Sequence, residues 1–269
     1  MPRSLEAGRR AGQVTSAGPM AGPRLRALAR RLQYAGGQVR CPCCERSFGR
    51  FILGDYPTQV ICPGCGSRPR HRLLWLYLRE QVEPGLGEAD VLHFAPERVL
   101  GERLRRESGR YVSADLSDDR SPTVLADITA LPFEDAGFDL VLCSHVLEHV
   151  DDDGRAMREM CRVLRPGGAA LIQSPVNHYQ AQTFESAEVT TPEERARYFS
   201  QPDHVRVYGR DVERRLSDAG FTVSLYPPPA ALDEEVAERF GLVLAHGPLR
   251  NEIYVCEAGA APVPSSGGK

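Results

Sequence analysis

The stretch Phe138-Asp-Leu-Val-Leu-Cys-Ser-His-Val-Leu-Glu-His149 decides the architecture. Its first half is an apolar run of strand length, and its second half turns polar, with His145, Glu148 and His149 within five residues. Working outward, six further runs share the apolar character: Val91 to Phe94, Tyr111 to Ala114, Thr123 to Ala126, Ala169 to Gln173, Phe221 to Tyr226 and Glu252 to Cys256. Helical periodicity falls between them, over Arg98 to Glu107, Arg155 to Leu164 ahead of Pro166-Gly-Gly168, Arg210 to Ala219 ahead of Gly220, and Asp233 to Phe240. Short apolar runs alternating with amphipathic helices predict an α/β fold, a parallel sheet covered on both faces.

The chain has 269 residues, 42% hydrophobic and 26% charged, the balance of a globular protein rather than of a disordered or membrane chain. No apolar run approaches the ~20 residues that span a bilayer. The Arg- and Gly-rich start lacks the apolar segment of a secretory signal, so the expected compartment is cytoplasmic. Charge is uneven: residues 1–40 hold eight arginines against Glu6 alone, whereas the whole chain carries −3, so its body is acidic. An acidic body argues against a domain that grips a polyanion along its length, and leaves the basic arm free to touch nucleic acid or a partner. The expected segments are a basic, partly disordered arm (1–36) with a short amphipathic helix through Leu25, Leu28, Ala29 and Leu32, a cysteine module (37–70), a helical linker (71–88), the α/β domain (89–257) and a disordered tail (258–269).

Cys41-Pro-Cys-Cys44 and Cys62-Pro-Gly-Cys65 are two C-x₂-C pairs separated by seventeen residues. Each such turn presents two sulfurs to one tetrahedral ion, so the spacing predicts a zinc ribbon with structural Zn²⁺ on Cys41, Cys44, Cys62 and Cys65. A disulfide pair is disfavoured in a reducing compartment, and four thiolates leave no open position for catalysis. Cys43 is a spare thiol or an alternate ligand. Cys143, Cys161 and Cys256 fall on apolar faces and are expected to be buried and inert.

The series Asp127-Ile-Thr-Ala-Leu-Pro-Phe133, then Phe138 to His149, then Glu159 with Arg162-Val-Leu-Arg-Pro-Gly-Gly168 resembles the class I S-adenosylmethionine-dependent methyltransferases of the type 11 subgroup, over about residues 89–257. The cysteine-rich start, joined through His71-Arg-Leu-Leu-Trp75 to Val91-Leu-His-Phe-Ala-Pro-Glu97, is similar to an uncharacterised subgroup of these enzymes. The resemblance implies a Rossmann-like sheet of seven strands, the last antiparallel, with S-adenosyl-L-methionine over the carboxyl ends of the first strands. Asp115 is placed to accept from both ribose hydroxyls, beside Leu116; the alternative is a turn or helix-capping Asp. The resemblance implies that Asp127 takes the adenine amino group while Ile128 packs on the ring, although Asp127 could instead cap the Thr129 turn. Cys143, Ser144 and His145 complete the implied pocket.

One departure stands out. Where the family has a glycine-rich loop after the first strand, this chain reads His93-Phe94-Ala95-Pro96-Glu97, with no glycine before Gly101. Ala95 is small, and Glu97 can pair with the methionine ammonium, but Pro96 removes a donor. A non-catalytic zinc-ribbon binding module on a degenerate methyltransferase fold is therefore one rival reading.

On the acceptor side the expected catalytic residues are His145 and His204. His145 lies nearest the methyl group, whereas His149 reads as a packed position. Residues 178–203 are polar and Pro-broken, which predicts a lid or substrate loop. Asp203, His204, Arg206 and Tyr208 then bring a base, a cation and a phenol together within six residues; the alternative is a surface loop with weak Asp203–Arg206 pairing. Methyl transfer is an in-line displacement from an activated sulfonium, so alignment matters most and a dedicated base is optional. No Asn-Pro-Pro-Tyr motif follows the fourth strand, which disfavours methylation of a nucleobase amine. The expected acceptor is an O or N nucleophile of a small molecule. The rival within the class is an RNA or protein methyltransferase that uses the ribbon and arm for delivery, and the absence of an aromatic-plus-basic stripe disfavours nucleic acid.

Overall fold

The computed structural model describes residues 32–53, 60–83, 85–226, 233–242, 249–250 and 252–259. The expected amphipathic helix through Leu25, Leu28 and Ala29 lies outside them, as does the tail beyond Gly259. Seven strands form one sheet: β1 (Asp90–Phe94), β2 (Arg110–Asp115), β3 (Val124–Leu125), β4 (Phe138–Ser144), β5 (Leu164–Gln173), β6 (Phe221–Tyr226) and β7 (Ile253–Ala258), in the order β6-β7-β5-β4-β1-β2-β3. β7 is antiparallel to both β6 and β5, and the other pairs are parallel. The chain runs one way from β1 to β3 and the other way from β4 onward. The switch point between β1 and β4 is where such sheets open a cleft.

Six helices are described: α1 (Pro69–Tyr77), α2 (Arg98–Glu107), α3 (Asp153–Val163), α4 (Pro192–Phe199), α5 (Val212–Asp218) and α6 (Glu234–Phe240). The side-chain alternation of the central strands feeds two cores. Leu92, Phe94, Val141, Cys143, Ala170 and Ile172 pack with Met157 and Met160 of α3 and Leu216 of α5. Val91, Leu140, Leu142 and Leu171 pack on the opposite face with Trp75, Leu100 and Leu104, and with Phe48 and Phe51 of the cysteine module. Each such side chain contributes about 1.5–3 kcal/mol on full burial, so β1 and β4 are anchored from both sides. No helix among the described residues is long and apolar enough to cross a membrane.

Two elements differ from expectation. α3 starts at Asp153 because the Asp152 carboxylate caps it, accepting from Arg155 N at 2.8 Å. It ends at Val163, so Pro166-Gly-Gly168 lies inside β5, where the register with β4 shifts. Gly168 fits there because a Cβ would come 2.9 Å from the Asp139 carbonyl oxygen. Within residues 178–203, the segment expected as a lid or loop, the chain forms a strand, Phe184–Glu185, that pairs with Arg206–Val207, and the helix α4. Thr191 and Glu194 cap α4 reciprocally, with Pro192 opening its first turn.

The cysteine module is two hairpins, Val39–Arg40 with Ser47–Phe48 and Ile52–Leu53 with Val60–Ile61, followed directly by α1. Buried Arg72 of α1 donates to the carbonyls of Ser67 (2.7 Å), Phe240 (2.6 Å) and Gly241 (2.6 Å), tying the module to α1 and to the end of α6. Arg72→Met keeps the aliphatic stem and strands these acceptors. It is expected to lower the unfolding free energy by about 3 kcal/mol or more. Urea denaturation measures this, and an unchanged midpoint contradicts the role.

Candidate active site

The carboxyl ends of β1 to β4 open on one cavity of about 520 Å³. Phe94 and Ala95 wall it from β1, Asp115 and Leu116 from β2, Asp127 and Ile128 from β3, and His145 and His149 from the segment after β4; Asp151, Asp152 and Asp203 also line it. Of the expected cofactor residues, His93, Pro96, Glu97, Cys143 and Ser144 are off this wall. His93, Cys143 and Ser144 are strand residues packed in the interior, because the chain leaves the sheet only after them.

Ala95 occupies the left-handed region with φ +44°, the conformation a glycine would supply in a tight turn. Its N–H is held by the Ala114 carbonyl at 2.9 Å, and its own carbonyl accepts from Arg120 at 2.9 Å. Arg120 also lies 3.5 Å from the Asp115 carboxylate. Glu97 opens α2 and is gripped by two imidazoles, His93 Nε2 at 3.0 Å and His71 Nε2 at 3.4 Å. Burial pushes its carboxyl up, but the two histidines outweigh that and hold it well below the usual carboxylate range. His93 Nδ1 lies 3.0 Å from the Tyr111 hydroxyl, so a polar chain runs from α1 to β2 through Glu97 and His93. Asp127 accepts from the Thr129 N–H and hydroxyl, both at 2.8 Å, and these bonds hold its carboxyl below the usual range.

After β4 the backbone turns at His145, φ +55°. His145 Nδ1 sits 3.0 Å from Glu148 Oε1, and Glu148 Oε2 accepts from Ser174 at 2.8 Å. Glu148 is 1% exposed; burial raises its carboxyl, but His145 and Ser174 bring it below the ordinary value. Arg206 fastens this loop from behind, donating to the carbonyls of Leu147 (2.9 Å), Val150 and Asp151 (2.8 Å). Tyr208 donates to Asp153 at 2.7 Å, and Arg215 pairs with Asp153 at 2.7 Å.

The expected acid–base cluster of Asp203, His204, Arg206 and Tyr208 is therefore dispersed. Arg206 and Tyr208 are buried supports for the loop, and Asp203 lines the cavity beside His149 Nδ1 at 3.3 Å. His204, expected to face the acceptor, is 4% exposed and off the wall, with Nδ1 on the Phe199 carbonyl at 3.0 Å. Burial pushes its imidazole below the ordinary value. The cause is local: α4 and its hairpin fold over this segment and seal it. The capping pattern Thr191-Pro-Glu-Glu194 is the sequence signal that marks that helix.

In the cysteine module the four sulfurs of Cys41, Cys44, Cys62 and Cys65 converge within 4.8 Å, with Cys41–Cys65 and Cys44–Cys62 both at 3.7 Å. Four thiolates around a tetrahedral ion at ~2.3 Å stand about 3.8 Å apart, so this set fits zinc. Hydrogen bonds from the neighbouring sulfurs, Cys43 first, push the Cys41 thiol well down. Cys43 is outside the set; its thiol points to the His71 carbonyl and is raised by burial. Cys143 and Cys256 are buried, and Cys161 is half-buried.

Residues 87–172 match a family model described as a methyltransferase domain. A demethylmenaquinone methyltransferase from Mycolicibacterium paratuberculosis is 32% identical over 176 residues, 60% of this chain and 72% of the relative. An uncharacterised 37.1 kDa transposon protein from Streptomyces fradiae is 33% identical over 180 residues, 65% of this chain and 48% of the relative. The chain thus spans about half the length, or less, of several curated relatives it matches. An S-adenosylmethionine-dependent methyltransferase from Mesorhizobium loti shares the fold, with TM-score 0.50 at 16% identity over 68% of this chain and 97% of that one.

Asp153 gives the support behind the cavity a pH signature. Burial raises its carboxyl, but Arg215, Arg206 and Tyr208 hold it below its ordinary value. A depressed folded value means the contribution is fully present above the unfolded pKa of ~3.9 and lost as pH falls through the folded one. Asp153→Asn should therefore flatten the acid limb of the stability profile below about pH 4. Chemical denaturation across that range checks it, and an unaltered slope contradicts it.

Proposed function

The chain belongs to the class I S-adenosylmethionine-dependent methyltransferases, and from that premise we propose that it moves a methyl group from S-adenosylmethionine to an oxygen or nitrogen of a small molecule. The observation that carries the reading is the convergence of Ala95, Asp115, Asp127 with Ile128, and His145, from four separate strand ends, on one cavity. Its volume suits a cofactor-sized ligand. The left-handed turn at Ala95 answers the missing glycines, since backbone there takes the shape that lets a ligand approach closely.

In this reading Asp115 accepts from the ribose hydroxyls, Asp127 meets the adenine amino group and Ile128 packs on the ring. Glu97, expected to pair with the methionine ammonium, is off the cavity wall and is engaged by His93 and His71, so it serves as support in this reading. The bound cofactor supplies a methyl group already activated as a sulfonium. The protein's work is alignment and removal of the acceptor's proton. His145, which lines the cavity, takes that proton, while Glu148 on Nδ1 holds the ring and stabilises the imidazolium. Besides Asp115 and Asp127, three further acidic residues line the cavity, Asp151, Asp152 and Asp203; they oppose a polyanion and favour a small neutral or cationic acceptor. A relative named for demethylmenaquinone methylation supports the same substrate class. The cysteine set holds one structural Zn²⁺.

Calorimetry is expected to detect S-adenosylmethionine binding, and Asp115→Ala to weaken it by ~1–3 kcal/mol, about 5- to 150-fold. Equal affinity in the variant removes the cofactor from this cavity. Label from methyl-labelled S-adenosylmethionine should enter the small-metabolite fraction of a cell extract, and label found only in RNA or protein overturns the acceptor class.

Protein purified without chelator should contain one zinc per chain. The Cys62→Ser variant should lose it together with thermal stability. Zinc-free protein with four freely titratable thiols contradicts the ribbon.

A further inference from the structure

At the cavity wall lies a second group of metal-ligating side chains: Glu148, which also orients His145, with His149 and His204, which the methyl-transfer reading does not use. One donor atom from each of Glu148, His149 and His204 lies within 4.8 Å of the others. We propose that these three residues bind a divalent transition-metal ion, forming a two-histidine, one-carboxylate site at the edge of the cavity.

Three independent features point to it. Each histidine is oriented through Nδ1: His204 on the Phe199 carbonyl at 3.0 Å, and His149 on the Asp203 carboxylate and carbonyl, both at 3.3 Å. Metal-binding imidazoles are held in this way, with one nitrogen on a carbonyl or carboxylate and the other left as the ligand. In His204 that other nitrogen, Nε2, is buried without a hydrogen-bond partner in a residue 4% exposed. A lone pair left bare in the interior costs free energy unless something accepts it.

The third feature is charge. Glu148 is 1% exposed, and no arginine or lysine among the described residues reaches it at ion-pair distance. Buried carboxylates are ordinarily paired with a cation or bound to a metal. His145 and Ser174 occupy one lone pair on each oxygen, which leaves acceptor capacity for an ion. Ligands at ~2.0–2.2 Å from a metal stand about 3–4 Å apart, so small side-chain movements close the present spacing.

Two imidazoles and a carboxylate suit the borderline dications, zinc, cobalt, iron(II) and manganese, rather than calcium or magnesium. Three protein ligands also leave positions open. His149 and Asp203 both line the cavity, so an oxygen of a cavity ligand can take one of them.

The test uses full-length protein carrying one zinc in its cysteine set, titrated with Co²⁺. The expected result is one equivalent of cobalt with visible d–d bands and no thiolate-to-cobalt charge transfer, because the new ligands contain no sulfur. His149→Ala, a partly exposed position, and His204→Gln should each weaken cobalt binding by at least about 10- to 100-fold while zinc content stays at one. Far-UV circular dichroism identifies any variant that has lost its fold, and His149→Ala decides if His204→Gln is such a case. Absence of cobalt beyond the zinc, a thiolate charge-transfer band, or cobalt affinity unchanged in folded His149→Ala overturns the site. The metal readout needs no S-adenosylmethionine, so this proposal and the methyltransferase reading fail separately.

Discussion

Burial of β1 and β4 on both faces is the constraint on which the rest of the structure depends. Val91 and Leu92, or Leu140 and Val141, are adjacent in sequence yet join opposite cores. A slip of one residue would exchange the two sets, so the register is pinned. Pinned register means that the two strands end at set heights, with Phe94 opposite Cys143 and Ser144 one residue further on. The first residues free to turn are Ala95 and His145. Both adopt positive φ, at +44° and +55°, and both line the cavity. Left-handed conformations at non-glycine residues cost roughly 1–2 kcal/mol each, and the packing below is ample to hold them.

The loop after β4 is held from behind by charge buried with its partners. Arg206 gives its donors to the carbonyls of Leu147, Val150 and Asp151 in this loop, and its charge is met by Glu185 at 2.8 Å and Asp153 at 3.8 Å. Arg215 and Tyr208 complete the same network. A guanidinium suits this role because its five donors spread in a plane toward several acceptors, which an ammonium cannot do. The result is a rigid backing for His145, Glu148 and His149, which sit on a loop yet keep the geometry of a regular element.

This division explains what the sequence made legible. The strands were legible because burial on both faces leaves an uninterrupted apolar run such as Leu140 to Cys143, and the position of Asp115 and Asp127 on the cavity wall was legible because they follow such runs directly. The convergence of the four cysteines was legible because they come in local pairs. His204 was not: its position depends on α4 and the Phe184–Glu185 strand closing over it, and the residues beside His204 give no sign of that cover. Arg206 and Tyr208 read as surface chemistry for the same reason, since a buried arginine looks in sequence like an exposed one until its acceptors are known. Ala95 shows the reverse case. Composition suggested a lost glycine turn, but the backbone retains the turn and alanine tolerates it.

The cysteine module then stops looking like an appendage. His71 stands just beyond its second pair of cysteines and is held on three sides. Cys43 donates its thiol to the His71 carbonyl, Arg68 N–H binds Nδ1 at 3.2 Å, and Nε2 meets Glu97 at 3.4 Å. Glu97 in turn holds His93 inside β1. One imidazole and one carboxylate thus link the cysteine knuckles to the start of α2. Both groups are largely buried, where polar contacts are strengthened by low local dielectric and costly to leave unmade. Phe48 and Phe51 of the module, with Trp75 of α1, join the core on one face of the sheet, so the module is packed into the body of the protein.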